Sequence, residues 1–151
     1  MKIVDIDREC YDEDNIREWL KDAESDLNPE EIYDWDEKKW AVFAHYNFDT
    51  SLIEDINELD IDTDTVHING EDIYVLTDSE ADDLADEMLD SYIDDCILDQ
   101  IPEQYRDYFD SEKFKSDVIR FDGRASELSA YDGSEYFYNV NDTDYYIYRW
   151  N

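Results

Sequence analysis

The chain has 151 residues, 42% of them apolar and 15% aromatic, with 13 Tyr, 6 Phe and 4 Trp. That suffices to bury a core without disulfide or metal staples and excludes a wholly disordered acidic tail, where such residues are scarce. Against it stand 45 acidic and 12 basic side chains, a formal charge of -33, which excludes a basic nucleic-acid-binding surface, repels anionic membranes and attracts basic protein surfaces.

In chain order, MKIVDI alternates apolar residues and opens a strand. From Asp14 the spacing turns helical, with Ile16, Trp19, Leu20 and Ala23 on one face, Asp12 or Asp14 as cap, and an end near Asn28-Pro29. Pro29-Glu30-Glu31 fits the first turn of a second short helix. KKWAVFAHYNF is rich in aromatic and β-branched residues; periodicity does not separate a strand from a buried helix here, and a strand over 40–47 is preferred. Leu52, Ile53, Ile56 and Leu59 follow Thr50-Ser51, and Glu54 completes a capping-box pattern from Ser51, so a helix is predicted over 51–59.

Residues 60–71, DIDTDTVHINGE, place Asp60, Asp62 and Asp64 at the first, third and fifth positions of a calcium loop and Glu71 at the twelfth. Thr65 stands at the sixth, where the sharp turn needs Gly, and His67 at the eighth, where an aliphatic residue is usual. Asn69-Gly70 instead suits a two-residue type I′ hairpin turn, since both residues tolerate positive φ. In that register Ile68 faces Glu71, Val66 faces Ile73 and Asp64 faces Val75. Val66, Ile68, Ile73 and Val75 then share one face, with His67, Asp72 and Tyr74 on the other. No metal or other cofactor is expected, and Asp60, Asp62, Asp64 and Asp72 read as a secondary acidic surface.

Residues 78–101 form the strongest predicted helix: Ala81, Leu84, Ala85, Met88, Leu89, Tyr92, Ile93, Cys96 and Ile97 recur at helical spacing. Pro102 punctuates it. Asp110 can cap a further helix carrying Phe114 and Val118. Asp122-Gly123, Asp132-Gly133 and Asn141-Asp142 mark turns, and YFYNV and DYYIYRW read as a C-terminal hairpin. The expected fold is α+β, with several helices, a long acidic amphipathic helix and short antiparallel β-hairpins. It is expected as a single domain over 1–151, divisible into an α/β part at 1–60 and a second part at 61–151.

Two cysteines, Cys10 and Cys96, lack metal-ligand spacing and read as reduced, structural residues. His45 and His67 lie in strand-like segments without a triad or metal set around them. No apolar run of about 18 residues is present, and MKIVDIDREC lacks a signal-peptide core, so a cytoplasmic protein is expected.

Most acid is N-terminal: residues 1–100 hold 34 acidic and 6 basic side chains, and residues 101–151 hold 11 and 6. The helix over 78–101 carries Asp78, Glu80, Asp82, Asp83, Asp86, Glu87, Asp90, Asp94, Asp95 and Asp99, with no Lys or Arg. At about 1.5 Å per residue this amounts to roughly one charge per 3 Å of axis, close to the one phosphate per about 3.4 Å along a DNA strand. Asp82, Asp86, Asp90 and Asp94 are expected opposite the middle of the apolar stripe, where like-charge neighbours cost a few tenths of a kcal/mol each. An ordinary solvated face would mix signs. Catalysis is not expected: no phosphate-binding Gly loop, nucleophile motif or His/Cys ligand set is present, and paired carboxylates arise by chance in so acidic a chain. A halophilic surface fits poorly with the abundance of Ile and Tyr and only 7 Ala. The reading that remains is a partner-binding acidic face that imitates nucleic acid; its alternative is an acidic regulatory protein that binds a basic host protein without copying duplex geometry.

The stretch HINGEDIYVLTDSEADDLADEMLDSYIDDCILDQIPEQYRDYFDSEKFKSDV, with Ile101-Pro102, Tyr108-Phe109-Asp110, Phe114 and Asp117-Val118, resembles the second half of the ArdA antirestriction proteins. The resemblance spans residues 67–118 and leaves the first 60 residues outside it. The tail, ELSAYDGSEYFYNVNDTDYYIYRWN, is similar instead to small uncharacterised phage proteins. ArdA proteins are DNA mimics of phages and mobile elements, elongated dimers that occupy the DNA groove of type I restriction-modification enzymes. The resemblance therefore implies an inhibitor of a host defence enzyme, a restriction-modification or CRISPR nuclease. It also implies that a homodimer is open to the chain, with no direct binding to nucleic acid or membrane.

Overall fold

The computed structural model describes residues 2–4, 13–61, 63 and 65–151. The chain runs through β1 (Lys2–Val4), α1 (Glu13–Asp22), α2 (Pro29–Tyr33), α3 (Glu37–His45), a 3-10 turn at Thr50–Leu52 leading into α4 (Ile53–Asn57), and the hairpin β2 (Thr65–Ile68) and β3 (Glu71–Thr77). It continues through α5 (Asp78–Tyr92), a π turn at Ile93–Ile97, 3-10 turns at Leu98–Gln100 and Glu103–Tyr108, α6 (Ser111–Asp122), α7 (Ala125–Leu128), β4 (Tyr136–Val140) and β5 (Thr143–Arg149). The fold is α+β. Its strands make one sheet in the order β1-β4-β5-β3-β2, antiparallel except for β1, which runs parallel to β4.

Both hairpins follow from their turns. Asn69-Gly70 has φ of 56° and 74°, and Asn141-Asp142 has φ of 49° and 70°, the positive values a type I′ turn requires. The first pairs Ile68 with Glu71 and Val66 with Ile73 as predicted; Asp62 and the pairing of Asp64 lie outside the described residues, as do Asp12 and Cys10. Pairing of β3 with β5 joins the two hairpins. Period-two alternation then sends Ile73, Val75, Tyr145 and Ile147 to one face and Tyr74, Leu76, Tyr146 and Tyr148 to the other.

The first face carries the main core, where Ile16, Ile32, Trp40, Phe43, Ile53 and Ile56 of α1 to α4 close over the sheet together with Val4 of β1. The N-terminal helices and the C-terminal hairpin thus share one core. The second face is thinner: Ala81 and Ala85 of α5 and Leu128 of α7 pack on Leu76 and Tyr148.

Three local expectations are corrected. The strand predicted over 40–47 is the helix α3, capped by Asp36, whose carboxylate accepts from the Lys38 N–H at 3.0 Å. Trp40, Ala41, Val42, Phe43 and Ala44 are all fully buried, so α3 is apolar all round over 40–44 and shows no helical period to read there. The helix predicted over 51–59 is a 3-10 turn plus the short α4, and Asp49 rather than Ser51 caps it, accepting from the Ser51 N–H. Its proposed box partner Glu54 accepts instead from the Ser25 hydroxyl at 2.9 Å. The first helix ends at Asp22, well short of Asn28-Pro29, and Asn28 caps α2 as the Pro at its first position favours.

Candidate functional site

Thr77 starts α5 by a capping box: its hydroxyl accepts from the Glu80 N–H at 3.3 Å, and the Glu80 carboxylate accepts from the Thr77 N–H at 3.0 Å. Glu80 also pairs with Lys38 of α3 at 3.1 Å. Burial would raise the Glu80 carboxyl, but the Thr77 N–H and Lys38 outweigh it and hold the group below its usual range. Glu80 is therefore an internal clamp between two layers.

Four more carboxylates of α5, Asp78, Asp82, Asp86 and Asp90, also have partners. Asp82, Asp86 and Asp90 each follow a buried residue, Ala81, Ala85 or Leu89, and so lie about 100° round the helix. That places them on the flank facing α6, not opposite the stripe. Lys115 of α6, with a side chain only 8% exposed, reaches Asp86 and Asp90 at 2.9 Å each and Glu112 at 3.1 Å. Hydrogen bonds to Asp86, Asp90 and Glu112 hold its ammonium well above the ordinary lysine range. One turn nearer the sheet, Arg124 binds Asp78 and Asp82 at 2.8 Å each and Glu135 at 3.3 Å. Its Nε donates to the Tyr148 hydroxyl at 2.9 Å, which in turn donates to Glu135, and its guanidinium lies 4.5 Å over the Tyr146 ring. An open cleft of about 460 Å³ between α5 and α6 runs past Asp86, Lys115 and Arg120 over a floor of Ala85, Leu89 and Ile119.

Of the ten predicted face residues, Asp83, Glu87, Asp94, Asp95 and Asp99 remain exposed and face no cation among the described residues. They span about 24 Å at 1.5 Å per residue, roughly one charge per 5 Å, sparser than a DNA strand. The π turn at Ile93–Ile97 shifts the helical register. Ile93 is the last buried residue of the stripe; Tyr92 and Cys96 are exposed, which corrects the structural reading of Cys96.

The secondary surface is partly engaged. Asp72 accepts from the Asn151 side chain at 2.8 Å and lies 2.7 Å from His67 Nδ1, contacts that hold its carboxyl below the usual range. The Asp60 carbonyl accepts from the Thr63 hydroxyl. Glu71, twelfth in the calcium pattern, accepts from the Tyr46 hydroxyl at 2.6 Å and pairs with Arg149 at 3.2 Å. His45 Nδ1 meets the Tyr138 hydroxyl at 2.6 Å. No helix of the described residues is long and apolar enough to cross a membrane.

Sequence reasoning missed the cations of α6 and its border with α7. The signal lay in Lys115 and Ile119, four residues apart and thus on one helical face, which sets a lysine beside an apolar residue that packs on the second core. The chain matches no family model, no curated protein and no solved structure.

Proposed function

We propose that this protein is a phage or mobile-element inhibitor that occupies the basic DNA-binding cleft of a host defence enzyme, a restriction-modification or CRISPR effector, in the host cytoplasm. The observation that carries the proposal is the file of carboxylates, on α5 and the turns that follow it, that face no cation among the described residues, within a chain of charge -33. DNA-binding clefts draw most of their sequence-independent affinity from phosphate contacts. Carboxylates presented along this helical trace would compete for the same lysines and arginines, and the net field would speed encounter. The mechanism is occupation, with no bond made or broken.

The alternative, an acidic regulator that binds a basic host protein without copying DNA, is favoured by one observation: internal cations take Asp78, Glu80, Asp82, Asp86 and Asp90, which thins the free file. Partner capture from a bacterial lysate at low salt, followed by challenge with duplex DNA, separates the two. A mimic is displaced by DNA and blocks DNA binding stoichiometrically; a partner that DNA leaves in place supports the regulator. Reversal of Asp83, Glu87, Asp94 and Asp95 to Lys should abolish inhibition. Reversal of Asp82, Asp86 or Asp90 is a poor probe, because it breaks the attachment of α6.

A further inference from the structure

From Asp94 to Phe114 no residue is buried, although the stretch carries Ile97, Leu98, Ile101, Tyr105, Tyr108 and Phe109. Tyr108 is 84% exposed and Tyr105 55%. Ordered segments earn their order by burial, and a contiguous exposed apolar surface marks a contact with something else. The arm begins at the π turn, past Ile93, the last buried residue of the stripe.

The protein's own arginines indicate the chemistry that fits. Arg124 lies over the Tyr146 ring while pairing with Asp78 and Asp82. Arg149 lies 3.6 Å from the centre of the Tyr131 ring while pairing with Glu71. In both, a tyrosine face and a carboxylate hold one guanidinium, planar enough to stack and forked enough to pair. The arm carries the same two residue types: the exposed Tyr105 and Tyr108 are near neighbours in the chain of the exposed Asp99, Glu103 and Asp107, which face no cation among the described residues. Its own cation, Arg106, turns its Nε back to the Ile101 carbonyl at 3.1 Å.

We propose that residues 98–110 form a docking surface for an arginine-bearing segment of a partner protein. A second copy of this chain is the poorer occupant, since it brings the same charge of -33 to an acidic patch. The proposal uses residues outside the unpaired file except Asp99, and it stands whether or not the partner also binds DNA.

The test measures binding of oligo-arginine and oligo-lysine peptides of equal length to the full chain, because their ratio cancels the bulk charge. In the Tyr105→Leu/Tyr108→Leu variant, oligo-arginine affinity should fall about fivefold or more while oligo-lysine affinity holds; the Tyr105→Phe/Tyr108→Phe variant should keep the preference. If circular dichroism shows that the double variant is misfolded, Tyr108→Leu alone gives the same reading with about half the effect on a logarithmic scale. An unchanged ratio in a folded variant overturns the proposal. So does a wild-type dimer, seen by sedimentation, that the leucine variant dissociates. Asp83→Lys/Glu87→Lys should weaken both peptides alike, which separates failure of the arm from failure of the α5 face.

Discussion

Replacing Arg124 by Met tests whether internal cations hold the second layer of the fold. The substitution keeps much of the side-chain volume but strands Asp78, Asp82 and Glu135 and removes the donor to the Tyr148 hydroxyl. Breaking a buried ion pair costs about 3 to 5 kcal/mol. The guanidinium side chain is 13% exposed, but Asp78 and Asp82 are 66% and 64% exposed, so water resolvates them. The loss should therefore be about 2 to 3 kcal/mol. For a chain of this length that lowers Tm by about 4 to 12 °C. Urea unfolding followed by circular dichroism measures it, and in 1 M salt, where the Debye length is about 3 Å, part of the loss should return as the stranded carboxylates are screened from one another. Arg124→Lys should restore the charge but not the fork, and recover only part of the difference. A change below about 0.5 kcal/mol, the range of ordinary surface substitutions, would refute the assignment.

Stability should drop as pH falls below about 4. The drop follows from Asp72, Glu80 and Asp132, whose folded pKa values are depressed, so that their contribution is present above the ordinary carboxylate range and lost as pH falls through the folded values. Stability that holds unchanged well below about pH 4 would contradict these pairings. In base the sign reverses. Burial raises the hydroxyls of Tyr46, Tyr145 and Tyr148, helped by Glu71, Glu37 and Glu135, and pushes Tyr138 up to about 12. Their contribution is present below the unfolded value of about 10 and lost as pH rises toward the folded values, so tyrosinate absorbance should develop together with loss of circular dichroism. Phe43→Ala in α3 should cost about 3 to 5 kcal/mol in urea unfolding, since the fully buried ring contacts Trp19, Trp35, Trp40 and Phe48; a cost typical of an edge strand would contradict its central place.

What could be read from the sequence was what local chemistry decides. Asn69-Gly70 sets its own turn, and alternation of Val66, Ile68, Ile73 and Val75 sets the buried face, so the first hairpin and its register were legible. The stretch around Trp40 was not, because a helix buried on all sides loses the polar face that gives a helix its period. The ten carboxylates of the long helix were visible as residues, but their division was not. It depends on Lys115 and Arg124, which are distant in the chain and meet α5 only when α6 and α7 fold back on it. The π turn and the exposure of Cys96 likewise have no Gly or Pro within Ile93–Ile97 to announce them.

That division decides where the electrostatic energy of the acidic helix resides. Like charges four residues apart oppose the helix, and along 82, 86 and 90 that opposition is met within the molecule by the buried Lys115 and the half-buried Arg124. Along Asp83, Glu87, Asp94, Asp95 and Asp99 no cation of the described residues meets it. No cation of the described residues relieves the repulsion there, and positive charge from outside would. A basic partner would therefore gain from this side of α5 what Lys115 and Arg124 have already taken from the other, and the proposed binding should be strongest where no described cation answers the carboxylates.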